Sequence, residues 1–259
     1  MVLVASPSSI NLGKVPMFGK RFLRLAAVSA AVALPLGMVA ASPASAAKAP
    51  KPTKATVTVL HAIPASVLGG DGAVEVCVND AAPPAIASLL PGNAVETELV
   101  EGTYALSIRL PGKNCTGDPI LTATATVKKG KNYTITANLT ATGTPTISVF
   151  RNNLSKLPKR KGRLTVRHIA AAPAVDVFIA GNVVMPNLQN GQQQQRVVRM
   201  GTYPAAAGLS GAGTAGIALG PVPVEVKAGT NTIVYAWGAP GAFDVWSQDI
   251  AVGLKKKKK

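Results

Sequence analysis

Charge and aromatic rings are scarce in this chain of 259 residues: 15% of the residues are charged and 4% aromatic. Two Trp and four Tyr are too few to rim a groove in which paired carboxylates cleave a glycoside. Nor do rings alternate with basic residues, as platforms that stack nucleic-acid bases require. Only two His are present, and one His with one carboxylate falls short of the roughly three or four protein ligands that a zinc centre takes, unless two such pairs pool theirs. No nucleophile elbow of the G-x-S-x-G type and no phosphate loop of the G-x-x-x-x-G-K-[ST] type occurs. These absences argue against the commoner hydrolase, nucleotide-binding and zinc chemistries, and imply no cofactor and no metal.

What the chain does have is small and β-branched residues, with 25 Gly and 20 Pro spread along it. That mix suits short strands joined by turns better than a helical bundle. The N-terminus has the layout of a cleaved secretory signal. Lys20, Arg21 and Arg24 precede an apolar run from Leu25 to Val39, and Ala44-Ser45-Ala46 matches a cleavage site. The run is shorter than the roughly 20 residues that span a bilayer. Residues 1–46 are therefore expected to be a signal peptide, and the mature protein to be secreted or wall-associated with no transmembrane span.

Removing that segment leaves 23 basic against 11 acidic residues. Five cations form the run Lys255, Lys256, Lys257, Lys258 and Lys259, and five more lie at Lys156, Lys159, Arg160, Lys161 and Arg163. Charge concentrated in a tail and a linker favours salt-sensitive attraction to polyanions. The expected partners are anionic wall polymers or surface glycans, contacted by the five terminal lysines; nucleic acid is not expected.

The sequence also repeats itself. VTVLH at 57–61 corresponds to LTVRH at 164–168, and AVEVCV at 73–78 to AVDVFI at 174–179. Gly102-Thr103-Tyr104 returns as Gly201-Thr202-Tyr203, VKKGKNYTI at 127–135 as VKAGTNTIV at 226–234, and TISVF at 146–150 as AFDVW at 242–246. Five matches in one order identify a duplicated module. In the first copy, strands are predicted near 56–61, 73–79, 94–99, 103–110, 119–127, 131–139 and 145–150. LTATATV and YTITANL alternate with period two, as strands with one face in the core and one in water do. The small-residue stretch 204–220 of the second copy predicts weakened strands.

The fold expected is all-β: two tandem immunoglobulin-like antiparallel β-sandwich modules following the signal peptide. A flexible mature N-terminus covers 47–54, the first module 55–154, a basic linker 155–162, the second module 163–254 and the lysine tail 255–259. The linker, with Pro158 and its cations, is expected not to pack.

The strings VRHIAAAPAVDVFIAGN at 166–182 and, more divergently, VLHAIP at 59–64 with AVEVCVND at 73–80 resemble a bacterial family catalogued as domain of unknown function 4397. The resemblance spans nearly all of residues 55–254. It implies an exported protein of tandem β-sandwich modules without an assigned activity. The first copy differs by the insertion SVLGGD at 66–71 and by Glu75 where the second has Asp176.

Three sets of residues are candidates for chemistry or stabilisation. His61 and His168 sit at equivalent places, each followed by a carboxylate, Glu75 and Asp176; they make either a metal or acid–base pair or two structural histidines that hold a neighbouring loop. The structural reading is favoured. Cys77 and Cys115, the only cysteines of a chain expected to be exported, predict a disulfide. Trp237 and Trp246, with Tyr235 and Phe243, read as core in preference to a sugar-stacking platform. The function expected is that of a non-enzymatic surface or wall-associated protein, binding or structural. The alternative is a metal-dependent or acid–base enzyme using the His and carboxylate of each module.

Overall fold

The computed structural model describes residues 53–256. The expected signal peptide and most of the flexible N-terminus lie outside these residues, as do Lys257, Lys258 and Lys259. Residues 49–259 belong to one compact unit.

The first module contains β1 (Lys54–His61), the one-turn α1 (Ala65–Leu68), β2 (Val74–Val78), β3 (Ile86–Leu89), β4 (Ala94–Val100), β5 (Gly102–Arg109), β6 (Leu121–Val127), β7 (Asn132–Leu139) and β8 (Pro145–Arg151). The second repeats it with β9 (Lys161–His168), β10 (Val175–Ile179), β11 (Asn182–Leu188), β12 (Gln193–Arg199), β13 (Gly201–Leu209), β14 (Ile217–Val226), β15 (Thr230–Ala239) and β16 (Ala242–Ala251). Each module is a sandwich of two four-stranded sheets, ordered β4-β1-β7-β8 and β3-β2-β5-β6 in the first, β12-β9-β15-β16 and β11-β10-β13-β14 in the second. The strand order of one module is that of the other, so the repeat read in the sequence is a repeat of topology.

Two features depart from the expected sandwich. Each module has an eighth strand, β3 or β11, bulged against its neighbour and too short or irregular to show a clean period. The central pairs β1–β7 and β9–β15 are parallel, so the modules are antiparallel-rich rather than wholly antiparallel. Strands so far apart in sequence need no hairpin between them, and either direction is available.

Within each sandwich the inner faces meet in an apolar core. Val57, Tyr133 and Ile135 pack on Leu106, Ala125 and Val127 in the first module, and Leu164, Val166 and Val234 on Val177, Met185, Val224 and Val226 in the second. A third core joins the modules. Leu60, Ala62 and Phe150 of the first pack against Ile169, Ile233, Tyr235 and Trp237 of the second. The outer faces of the two parallel-cored sheets therefore meet each other, and four sheets are stacked.

This corrects the reading of YTITANL. Its polar face is not in water: Thr134, Thr136 and Asn138 are fully buried. They are satisfied by pairing, Thr136 donating to Asn138 Oδ1 at 2.8 Å and Gln248 Nε2 of β16 donating to Thr134 Oγ1 at 3.1 Å. A buried hydroxyl is tolerated only with such partners.

The linker is corrected too, because it packs. Leu157 is buried and bridges Leu254 in parallel, with its N–H on the Gly253 carbonyl at 3.0 Å and its carbonyl receiving the Lys255 N–H at 2.8 Å. The 204–220 stretch, expected to hold weakened strands, lies in the hairpin of β13 and β14, whose ladder shifts register twice between Ala205 and Gly208 and whose connection holds a one-turn 3-10 helix at Gly213–Gly216. Glycine serves close approach there: a Cβ on Gly208 would stand 2.4 Å from the Gly216 carbonyl oxygen. Both tryptophans sit as expected of core residues, Trp237 buried and Trp246 half-buried against it.

Candidate functional site

The strongest candidates from the sequence were the two His–carboxylate pairs, and neither pair is assembled. His61, at the end of β1, turns Nε2 to the Gly72 carbonyl at 2.8 Å and accepts the Ile63 N–H on Nδ1 at 3.4 Å. A carbonyl only accepts, so Nε2 carries the proton. His168 ends β9 in the same way, with Nε2 2.8 Å from the Pro173 carbonyl and 3.1 Å from that of Ala172. Both rings are buried, and burial lowers both pKa values below 6.5, against the raising effect of the carbonyl partners. Each imidazole is a neutral clasp on the loop that leads into the next strand.

The carboxylates close a different loop. Glu75 of β2 accepts the backbone N–H groups of Lys113, Asn114 and Cys115 at 3.1, 3.1 and 2.9 Å. Asp176 of β10 accepts the Asn187 N–H at 2.8 Å, the Ser210 hydroxyl at 2.8 Å and the Gly211 N–H at 3.0 Å. Those bonds, the Asn187 N–H first, hold the Asp176 carboxyl below the usual carboxylate range. Each acid thus ties down the turn that follows matching strands, Glu75 the turn after β5 and Asp176 the turn after β13. The same pattern explains the recurrent G-T-Y: Tyr104 and Tyr203 donate their hydroxyls to the carbonyls four residues back, Val100 and Arg199, at 2.8 and 2.7 Å.

Cys77 and Cys115 form the expected disulfide, with Cα atoms 5.7 Å apart. With Glu75 they are the one group of three potential metal ligands among the described residues. Both sulfurs are spent on each other and the carboxylate on three N–H groups, so the group offers an ion no free thiolate.

Arg167 was missed as a candidate. It stands in LTVRH where the first copy has Leu60, and both are fully buried in the core between the modules. Its guanidinium donates to Asn152 Oδ1 at 2.6 Å, to Gln193 Oε1 at 2.9 Å and to the Tyr235 hydroxyl. It also lies 4.3 Å from the centre of the Phe150 ring. A buried cation held by neutral acceptors and a ring face is a structural pin between modules. The only sequence signal is the Leu-to-Arg mismatch at matched positions.

The basic segments are the remaining candidate. The Leu157–Leu254 bridge brings the linker beside the start of the lysine tail, although the two lie far apart in sequence. Arg199 of β12 pairs with Lys161, and the Met200 N–H binds the Arg160 carbonyl at 3.0 Å. Lys156, Lys159, Arg160, Arg199, Lys255 and Lys256 are all exposed, and none takes part in the ion pairs found among the described residues. The five linker cations are reduced by one: Arg163 is buried, donating to the Asn153 carbonyl at 3.0 Å and to Ser155 Oγ at 2.7 Å. Backbone pairing thus brings three segments with exposed cations side by side at this end of the second module.

Residues 55–178 match the family model of a domain of unknown function (DUF4397). That segment is similar to the DUF4397 family. The match runs through the whole first module and ends inside β10, so the likeness of the rest of the second module to the first rests on its topology. The DUF4397 segment contains both histidines, both carboxylates and the disulfide. No curated protein matches the sequence. Among solved structures, the chain is similar to the C-terminal domain of AlgF from P. aeruginosa, at 15% identity and a TM-score of 0.29, over 36% of this chain and all of that one. It is also similar to the Bacillus anthracis TIE protein, at 12% identity and a TM-score of 0.23, over 71% of this chain and 33% of that one. No helix among the described residues is long and apolar enough to cross a membrane.

Proposed function

We propose that this protein is an exported, non-enzymatic component of the cell surface or wall that attracts anionic polymers through its composite basic patch. The observation that supports the reading is the backbone pairing that sets the linker, β12 and the start of the tail, each with exposed cations, beside one another. Cations that share a surface add their fields, and like charges left unneutralised are a ready site for a polyanion. The titratable groups that an acid–base or metal mechanism would use are engaged instead in fixing loops, and nothing specific favours the enzyme alternative. Export is supported by the leader and by a disulfide as the fate of the only two cysteines.

The test uses isolated walls and three forms of the mature chain: intact, lacking Lys255–Lys259, and carrying Lys156→Gln, Lys159→Gln and Arg160→Gln. Both altered forms should elute at clearly lower salt than the intact chain. Retention of the intact chain should disappear well above roughly 0.1 M salt, where the screening length falls below about 10 Å. Equal retention of all three forms at low salt would overturn the proposal. A mature N-terminus at Ala47 in material recovered from the host's medium or wall is the expected outcome for export; a protein recovered intact from cytosol would contradict it.

A further inference from the structure

The exposed cations extend beyond the linker, β12 and the tail, because both modules point the same way. At one end the linker ties them together. The Asn152 N–H binds the carbonyl of Asn132, at the start of β7, at 2.8 Å, and Asn231 Nδ2, at the start of β15, binds the Asn153 carbonyl at 3.3 Å. At the other end the Asn190 side chain bridges the Leu139 and Ala170 carbonyls at 3.1 and 2.6 Å. Ladder register then sets the β4–β5 and β6–β7 turns of the first module at the same end as the β12–β13 turn, the linker and the start of the tail.

Charge is segregated to that end. Of the lysines and arginines that reach the surface among the described residues, only Lys113 and Arg196 lie away from it. The first module adds Lys54, Lys128, Lys129, Lys131 and Arg151 to the cations of the second. Three acids at this end are already engaged: Glu98 lies 3.6 Å from Lys54, and Glu225 and Asp249 lie 3.7 and 3.0 Å from Lys227. Those pairs leave the β6–β7 turn, the linker, Arg199 and the tail as cations outside the ion pairs found among the described residues. Because turns of both sandwiches contribute, the charge covers an end of the molecule and not a single track along it.

Two apolar side chains stand among these cations. Val100 in the β4–β5 turn is 61% exposed and Met200 in the matching β12–β13 turn 51%. A soluble polyanion gains nothing from an aliphatic group. A lipid surface does, since apolar side chains enter the boundary between headgroups and acyl chains while neighbouring cations meet anionic headgroups.

We infer that this end docks on an anionic lipid bilayer, its lysines and arginines at the headgroups, Val100 and Met200 entering the interface, and the histidine ends of both modules pointing away. The inference rests on the cation-mediated attraction proposed above, and adds the first module to the contact and a bilayer as the partner.

The test is co-sedimentation of the mature chain with vesicles of phosphatidylglycerol and phosphatidylcholine in equal parts, and with vesicles of phosphatidylcholine alone. Binding should require phosphatidylglycerol. Lys128→Gln with Lys129→Gln, which leaves linker and tail intact, should weaken it at least ten-fold, as each lysine near an anionic bilayer contributes about five-fold; Lys128→Arg with Lys129→Arg should retain it. Val100→Ser with Met200→Ser should weaken vesicle binding several-fold and leave elution from immobilised polyphosphate unchanged. Absence of binding to the anionic vesicles, equal binding to both kinds, or binding indifferent to either the lysine or the apolar pair would overturn the inference. Retention on isolated walls with no binding to vesicles would overturn the bilayer and keep the wall polymer as partner. Vesicle binding without wall retention would overturn the wall polymer alone and support the bilayer.

Discussion

The two modules share a topology and differ in what closes their ends. The first is stapled by Cys77–Cys115, carries α1 as a lid and fills its histidine end with Ile63, Ile108 and Leu139. The second has Phe178 and Thr214 in place of the cysteines and Ala170, Ala207 and Gly238 in place of Ile63, Ile108 and Leu139. What both retain is a set of polar locks: a neutral histidine on one loop, a carboxylate on another, a tyrosine reaching back four residues. A duplicated sandwich tolerates change in its apolar filling more readily than in buried hydrogen bonds. A half-satisfied polar group costs its full desolvation, whereas a volume change can be absorbed by repacking.

The largest effect is expected at the contact between the modules, where Leu60 and Arg167 occupy matched positions. Arg167→Ala removes a buried side chain and strands Asn152, Tyr235 and Gln193; it should cost about 3–5 kcal/mol in urea unfolding. Arg167→Leu, which copies the first module, should cost less because the volume is largely kept. If the two cost the same, the packing half of that explanation fails.

Next comes the staple. Replacing both cysteines by alanine opens a loop of 38 residues and should lower stability by about 4 kcal/mol in the chain-entropy model. Adding a reductant to that variant should change nothing further. A loss under about 1 kcal/mol would mean that the Glu75 contacts hold the loop without the disulfide.

Acidification should have a smaller effect, shared by both modules. His61 and His168 are lowered by burial, so below pH 6.5 the unfolded chain binds protons that the folded chain resists. Stability should be full above that pH and fall as pH drops through it, by at most about 1.4 kcal/mol per pH unit for each ring. His61→Gln and His168→Gln should each flatten the slope between pH 6.5 and 5. A slope unchanged in the double variant would assign it to other groups.

The smallest effect is expected from deleting Lys256–Lys259, which leaves the Lys255 N–H on the Leu157 carbonyl. Lys255 and Lys256 are exposed and outside the ion pairs found among the described residues. The melting temperature should therefore stay within about a degree, as for surface changes generally.

Much of the fold was legible because turns and periodicity are local. Gly and Pro marked the ends of β5, β6 and β7, and the strand limits expected for the first module lie within about two residues of those found. The parallel β1–β7 pairing was not legible, since nothing local distinguishes the direction of a distant partner. Burial of Thr134 and Thr136 was hidden for a related reason: an alternating threonine face looks the same whether it meets water or a second sheet. Leu157 was read with the charges around it, and only its bridge to Leu254 shows that the linker packs. For the candidate site, the disulfide and the structural role of both histidines were legible from number and position. The pinning role of Arg167 was not, because a Leu-to-Arg mismatch between copies reads as drift until both are found buried in one core.

The central claim is that the buried outer faces of the two parallel-cored sheets make the modules one cooperative unit. Both tryptophans lie in the second module, at Trp237 and Trp246, so their fluorescence follows that module while far-ultraviolet circular dichroism follows both. Urea unfolding should give coincident transitions by the two probes, and opening the disulfide of the first module should move the tryptophan transition by the same amount. Two separate transitions, with the tryptophan signal indifferent to the disulfide, would contradict the account.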